Sequence, residues 1–315
     1  MKKIRVLFIT RPTVFSGPGG DTVQLLNTKE YVEKLGVDVD IAADPMPPLC
    51  GYDVIHFFNL RNPQDILAPV REAKKLGIPC VLSTIWGSYY ECDLNTRRGF
   101  QKVIVKTFKE STVEYFKALA RGVLNLNFSR KMIPYYLNGH HRSQVEITKN
   151  MAALLPNSPT ELERVRVDMG QPKHPGIVIP NAADSQVFNY DNVKVKASFE
   201  KYRGCVLSAA RIETRKCQLD LIRAVKGTDI QLVIVGKASP NSRSYYETCK
   251  KEAGSNVTFL SHVTHDELAQ LYKVAKVHAL ISWMETPGLS SLEAALMKCN
   301  LVVTDRGDTE YYFKD

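Results

Sequence analysis

No stretch of the 315-residue chain holds the roughly 18 uninterrupted apolar residues that a membrane-crossing helix requires, so no spanning segment is predicted. The opening Met-Lys-Lys-Ile-Arg precedes an apolar run, Val6 to Thr10, that is shorter than the roughly 7–15 residues of a secretory leader. That run reads instead as a first buried strand. Cysteine supplies no framework either. The seven (Cys50, Cys80, Cys92, Cys205, Cys217, Cys249, Cys299) are odd in number and scattered, with no C-x-x-C pair and no histidine cluster beside them. This excludes a disulfide scaffold or zinc site and suits a reducing compartment. A net charge of +9 and a pI near 9.1 would fit a nucleic-acid binder, but no recognised nucleic-acid motif accompanies the charge. These absences predict a cytoplasmic protein without nucleic acid as its partner.

What is present is the balance of an ordinary globular protein, 44% apolar and 24% charged residues, in a chain long enough for two domains of roughly 150 residues each. Short β-branched runs alternate with amphipathic helical segments, the pattern of parallel sheets with crossover helices. In the first half the runs are Ile4–Thr10, Val37–Ala42, Val54–Phe58, Pro79–Thr84, Ala152–Pro156 and Ile177–Pro180. A helix from about Thr22 places Leu25, Thr28, Val32 and Leu35 on one face and stops at Gly36. The second half repeats the scheme at Cys205–Ala209, Ile230–Val235, Val257–Leu260, Val277–Ile281 and Leu301–Thr304. Thr264 and Glu267 form a capping box that starts a helix over about His265–Ala275. The fold class expected is α/β, two Rossmann-like domains with a cleft between them, residues 1–185 and 186–315.

Ligands in open α/β sheets bind outside the carboxyl ends of the strands, and two such loops carry chemical information. Ser16-Gly-Pro-Gly-Gly20 precedes a helix N-terminus that offers free N–H groups and partial positive charge to an anion. Its spacing matches neither the dinucleotide fingerprint nor the P-loop, so a simple turn is an equal reading. The second region is richer. Arg211-Ile-Glu-Thr-Arg-Lys216 follows a strand, and its cations suit a diphosphate, although these residues alone favour a solvated basic loop. Either cation, sitting in a loop, is expected to be removable at little cost in stability. Trp283-Met-Glu-Thr-Pro-Gly-Leu-Ser-Ser-Leu-Glu293 follows another strand, with Pro287 suited to a first helical turn and the amides near Gly288–Ser290 at its N-terminus. Glu285 and Glu293 can accept paired hydroxyl hydrogen bonds, or act as a dipole partner and a surface residue.

These residues resemble the retaining glycosyltransferases of family 4. Glu285 and Glu293, with seven residues between them around Pro287-Gly288-Leu289, match the family's E-x7-E motif. Ile179-Pro-Asn-Ala-Ala-Asp-Ser-Gln-Val-Phe188 resembles its hinge, Ser208-Ala-Ala-Arg211 to Lys216 its G-R-L-x-x-x-K-G segment, and Leu232-Val-Ile-Val-Gly236 its L-x-I-V-G strand. Val257 to Val263 with Glu267, Leu268 and Tyr272 resembles the following run. The first half agrees more loosely, through Gly19-Gly20 and the Asp53-Val-Ile-His56 strand. The resemblance implies a GT-B fold, a nucleotide-diphosphate sugar as donor substrate, retention at the anomeric carbon, and neither metal nor other cofactor. Carried over to this chain, Arg211 and Lys216 would neutralise the leaving diphosphate. Glu285 would lie at the donor sugar and Glu293 at the ribose. Gly288, Leu289 and Ser290 would hold sugar and phosphate, and Gly20, Gly236 and Val263 would complete the donor site.

The chain also departs from the family. Ala182 and Cys217 replace glycines, and Asn300-Leu301 stands where a residue followed by proline is usual. The segment after Pro79–Thr84 lacks the usual histidine, leaving Tyr89, Glu91 and Asp93 as candidate bases. Family members continue through several helices beyond the position of Asp315, so the carboxyl-terminal part reads as short or truncated. A catalytically silent nucleotide-sugar-binding protein, or a GT-B epimerase or phosphorylase, stays open on these grounds. Finally, residues 97–149 hold eleven Lys or Arg against Glu110, Glu114 and Glu146, eight of the nine net positive charges. Val105, Phe108, Val113, Phe116 and Leu119, and Met132, Ile133, Tyr135, Tyr136 and Leu137, are interleaved among them. A basic amphipathic stretch of this kind suits an anionic membrane surface; the alternative is that the apolar side packs inward and the cations are merely solvated. The acceptor expected is a glycan or lipid-linked molecule of a surface-polysaccharide pathway.

Overall fold

The computed structural model describes residues 3–124, 132–261 and 263–313. The chain divides into two compact units, Met1–Pro180 and Asn181–Asp315.

The first unit holds a five-stranded parallel sheet made of β1 (Arg5–Ile9), β2 (Asp38–Ala42), β3 (Val54–Phe58), β4 (Cys80–Ser83) and β5 (Ala153–Leu154), in the order β2-β1-β3-β4-β5. Successive side chains of a strand point to opposite faces. Leu7, Ile9, Ile55 and Phe57 accordingly join one core, while Val6, Phe8 and Phe58 join another. Burial on both faces is what makes these strands continuous apolar runs. His56, within β3, is stacked on Phe58 and lies edge-on to Phe8, with Nε2 2.9 Å from the Ser83 hydroxyl. Burial pushes its pKa down to about 3, so it is a neutral core residue.

Two first-half expectations need correction. Ile177–Pro180 is not a strand: it follows β5 through Ile177 N–H to Leu154 and Ile179 N–H to Pro156, with a single bridge between Leu154 and Gly176. Pro175 and Pro180 have no N–H to give to a ladder. The first helix spans Gly20–Lys34, but only Thr22 and Leu25 of its residues are buried; Val32 is partly buried and Leu35 is 82% exposed.

The second unit holds β6 (Val206–Ala209), β7 (Leu232–Val235), β8 (Val257–Leu260), β9 (Val277–Leu280) and β10 (Asn300–Val303), all parallel, in the order β10-β9-β6-β7-β8. Leu207, Ala209, Val233 and Val235 enter one core and Leu232, Ile234 and Ala279 the other. The capping box forms as expected: Thr264 accepts from the Glu267 N–H at 3.2 Å, Glu267 accepts from the Thr264 N–H at 3.0 Å, and the helix runs His265–Val274. All seven cysteines are free thiols. No helix among the described residues is long and apolar enough to cross a membrane.

Candidate functional site

The strand order of the second unit reverses direction between β6 and β9, the place where open α/β sheets bind their ligands. The loops that leave these two strands hold most of the expected site residues. After β6 the chain reaches Arg211 and then a short 3-10 turn at Thr214–Lys216. After β9 it passes Trp283 and Glu285 and starts the helix Leu289–Leu296 with Gly288 at its N-cap. A hydrogen bond from the Trp283 N–H to the Arg215 carbonyl, 2.9 Å, ties the loops together.

The firmest contact in the site joins Lys216 Nζ to Glu285 Oε1. Both side chains are nearly out of solvent, 11% and 8% exposed. Burial alone would raise the Glu285 pKa, but the Lys216 ammonium outweighs it and holds the carboxyl below its usual value. The pair is therefore ionised. This corrects one expectation. Lys216 is not a dispensable loop cation, because deleting it would strand a buried carboxylate. Glu285 is likewise committed through one oxygen to Lys216, leaving Oε2 as the atom facing Gly288: a Cβ on Gly288 would sit 3.2 Å from it and 2.9 Å from Leu280. Gly288 also has φ +83°, which favours glycine.

Arg211 differs from its neighbour. Its side chain is 42% exposed and only loosely held, 3.5 Å from Glu213 Oε1, which binds Arg215 more closely at 2.6 Å. Glu213 was not singled out by the sequence reading, yet it sets the charge of this loop. Gly236, one residue past β7, has φ +145°, and a Cβ there would lie 2.0 Å from the Ala210 carbonyl. Its glycine requirement is therefore explained by the close passage of the Ala210-Arg211 backbone, and it shapes the loop that presents Arg211.

On the helix, Glu293 accepts a hydrogen bond from the Tyr272 hydroxyl at 3.4 Å, and the same hydroxyl donates to the Ser290 carbonyl at 3.0 Å. Burial pushes the Glu293 pKa up to about 7, with Tyr272 opposing. Glu293 is thus neither a solvated surface group nor one of fixed charge. His278 in β9 lies with Nε2 3.2 Å from the Ser291 hydroxyl, and burial pushes its pKa down to about 4, so a neutral ring locks the helix to the strand. Leu289 begins the helix rather than Pro287, which follows a cis peptide bond outside it. Val263 packs on the core of the unit.

Gly20, in the first unit, is the first residue of its helix, with Gly19 as N-cap. The glycine-rich loop is held by Arg11, another residue the sequence reading passed over. Its guanidinium donates to the Asp21 carboxylate at 2.6 and 3.1 Å, to the Thr13 carbonyl and hydroxyl, and to the Gly17 carbonyl at 2.8 Å. Of the candidate bases, Tyr89 lies under the Arg61 guanidinium and Glu91 is exposed. Asp93 is paired with Arg97 and Lys117; burial works to raise its pKa, but the two cations prevail and lower it. A carboxylate so stabilised is a poor proton acceptor.

Residues 190–315 match the family model for glycosyl transferases group 1. Over 92% of its length the chain is 24% identical to a D-inositol 3-phosphate glycosyltransferase of Corynebacterium urealyticum, of which it covers 75%. Among solved structures, sucrose-phosphate synthase of Thermosynechococcus elongatus superposes with a TM-score of 0.71 at 14% identity, over 98% of this chain and 83% of that one. Anabaena HepE, solved with UDP and glucose, gives 0.64 at 15% identity over 99% and 83%. WaaG, a glycosyltransferase of lipopolysaccharide biosynthesis, gives 0.61 at 15% over 98% and 83%. The fold is that of GT-B glycosyltransferases, two parallel-sheet α/β domains.

Proposed function

We propose that the protein is a retaining glycosyltransferase that moves a sugar from a nucleotide-diphosphate donor to a glycan or lipid-linked acceptor without a metal ion or other cofactor. The observation that carries this reading is the meeting of Arg211, the Lys216–Glu285 pair and the N-terminus of Leu289–Leu296 at the β6/β9 reversal. The diphosphate leaves with growing negative charge, and preorganised cations and helix N–H groups stabilise such charge most where solvent is excluded. Arg211 has room to fork onto phosphate oxygens. Lys216 has three donors, so it can share itself between Glu285 and a phosphate. Glu293 would take the ribose hydroxyls, a bond that favours its ionised form. HepE was solved with UDP-glucose and UDP, which supports a nucleotide-sugar donor here. The test is a thermal-shift panel of UDP, GDP, ADP and their sugars, followed by transfer assays with and without chelator. Stabilisation by one nucleotide series is expected. No stabilisation by any of them would overturn the reading, and transfer lost to chelator and restored by manganese or magnesium would overturn metal independence.

The same reading includes peripheral attachment to the cytoplasmic face of an anionic membrane through the 97–149 region. Val105, Val113 and Tyr135 are buried, so three of the ten apolar residues of the stripe are core. Phe100 (78% exposed), Val103, Phe108, Phe116 and Leu137 remain on the surface, and Lys102 and Lys106 share the helix Gly99–Thr107 with the first two. Arg130 and Lys131 lie outside the described residues. Co-sedimentation with phosphatidylglycerol vesicles, abolished by salt and by Lys102→Glu with Lys106→Glu, is expected; equal binding to neutral vesicles would discard it.

A further inference from the structure

A cavity of about 330 Å³ lies in the first unit, past the carboxyl ends of β3 and β4, at the small end of the range for ligand pockets. The polar groups around it divide into those already engaged and those left over. Its carboxylates are engaged. Glu110 accepts from the Ser88 hydroxyl at 2.6 Å and the Tyr89 N–H at 3.0 Å. Glu114 accepts from Lys117 at 2.8 Å, and Asp168 accepts from the Trp86 indole N–H at 2.7 Å. His140 is engaged as well. Burial pushes its pKa down to about 4, Nδ1 meets the Tyr135 hydroxyl at 2.9 Å, and Nε2 accepts a hydrogen bond from the Gln144 amide at 3.2 Å.

The remaining groups are mostly cations. Arg61 donates from Nη1 to the Gly87 carbonyl and lies 3.7 Å over the Tyr89 ring, which fixes it, while its Nε and Nη2 have no acceptor among the described residues. The side chains of Lys109 and His141, both exposed, have no ion pair or hydrogen bond among the described residues. The first turns of the helices Glu110–Leu124 and His140–Lys149 also line the cavity, adding positive helix ends. Gln144 is 97% out of solvent; its amide nitrogen is spent on Leu60 and His140, and its carbonyl oxygen accepts nothing among the described residues. Trp86 is held at both nitrogens, its N–H by Glu161 at 2.7 Å and its indole by Asp168, and so presents a fixed aromatic surface.

We infer that this cavity binds a monosaccharide-sized, polyhydroxylated molecule carrying a phosphate or carboxylate group. The anion sits among Arg61, Lys109 and His141, a hydroxyl donates to Gln144 Oε1, and the apolar edge of the ring packs on Trp86. Under the proposed function this molecule is the terminal unit of the glycan or lipid-linked acceptor, and the inference rests on that reading only for the word acceptor.

Binding is measured by isothermal titration with the full chain, without nucleotide, using glucose 6-phosphate, myo-inositol 1-phosphate, glucuronate, glucose and inorganic phosphate. The two sugar phosphates or glucuronate bind at least about ten-fold more tightly than glucose and inorganic phosphate, and which of them wins tells phosphate from carboxylate. Lys109→Ala, a surface change that spares the fold, weakens that binding about ten-fold. Arg61→Ala does at least as much, with its fold checked by circular dichroism. Arg211→Ala leaves it unchanged, separating this cavity from the phosphate-binding loops of the second unit. Equal or absent binding of charged and neutral sugars, or wild-type affinity in Lys109→Ala and Arg61→Ala, overturns the inference. Binding of UDP that survives both variants leaves the proposed function standing whichever way this result falls.

Discussion

Each unit places a cation and a carboxylate together where a strand gives way to a helix, but they use the pair differently. In the first, Arg11 and Asp21 are 15% and 16% exposed, and Arg11 spends its donors on its own loop, closing residues 13–21 around the helix start. In the second, Lys216 and Glu285 come from loops 69 residues apart and are more deeply buried. The first pair organises one loop. The second joins two loops across adjacent strands and leaves Arg211 beside it open to solvent. A pair that sets local shape can be lost at local cost, whereas one that ties two loops cannot be halved without leaving a charge in the interior.

That contrast sets the order of effects. Lys216→Ala is expected to cost about 3–5 kcal/mol in chemical denaturation, and Glu285→Ala a similar amount, because each leaves a buried charge unpaired. The double replacement Lys216→Met with Glu285→Leu is expected to recover most of that loss while abolishing nucleotide-sugar turnover. If the single variants were as stable as wild type, the buried pair would be wrong. Arg11→Ala is expected to cost about 1–2 kcal/mol and to raise hydrogen exchange at Thr13–Gly20 without touching the second unit; exchange unchanged in that loop would break the comparison.

Glu293 gives a smaller, pH-dependent effect. Its carboxyl is raised from 4.5 to about 7 in the folded protein, so it contributes stability that is fully present below 4.5 and is lost as pH rises through about 7. A bound ribose needs the ionised form, so nucleotide affinity is expected to climb between pH 6 and 8 in the wild type and to stay flat in Glu293→Gln. A flat wild-type profile would remove the ribose role.

Much of this was legible in the sequence, for physical reasons. Strands buried on both faces are continuous apolar runs, and all ten fall within two residues of where the sequence puts them, although β5, with only two residues paired, is less than half as long as its run. The capping box at Thr264 is local chemistry and needed nothing distant. The E-x7-E spacing is local in the same way, because strand, turn and helix start are consecutive there. What was hidden depends on separation along the chain. Lys216 reads as a solvated cation until Glu285 is beside it. The cavity draws Arg61, Trp86, Lys109 and Gln144 from four separate segments, and no spacing rule connects them. Ile177–Pro180 has the composition of a strand, and its failure lies in the prolines around it.

On the proposed function, the loops after β6 and β9 receive the diphosphate of a nucleotide sugar. The most direct measurement is titration of UDP, GDP and ADP into the wild type and Arg211→Ala. Arg211 is exposed and loosely held, so its removal is expected to change stability by no more than about 0.5 kcal/mol. One nucleoside diphosphate should bind the wild type and lose about ten-fold or more in affinity in the variant. Wild-type affinity in Arg211→Ala, or no binding of any of the three to the wild type, would contradict the claim.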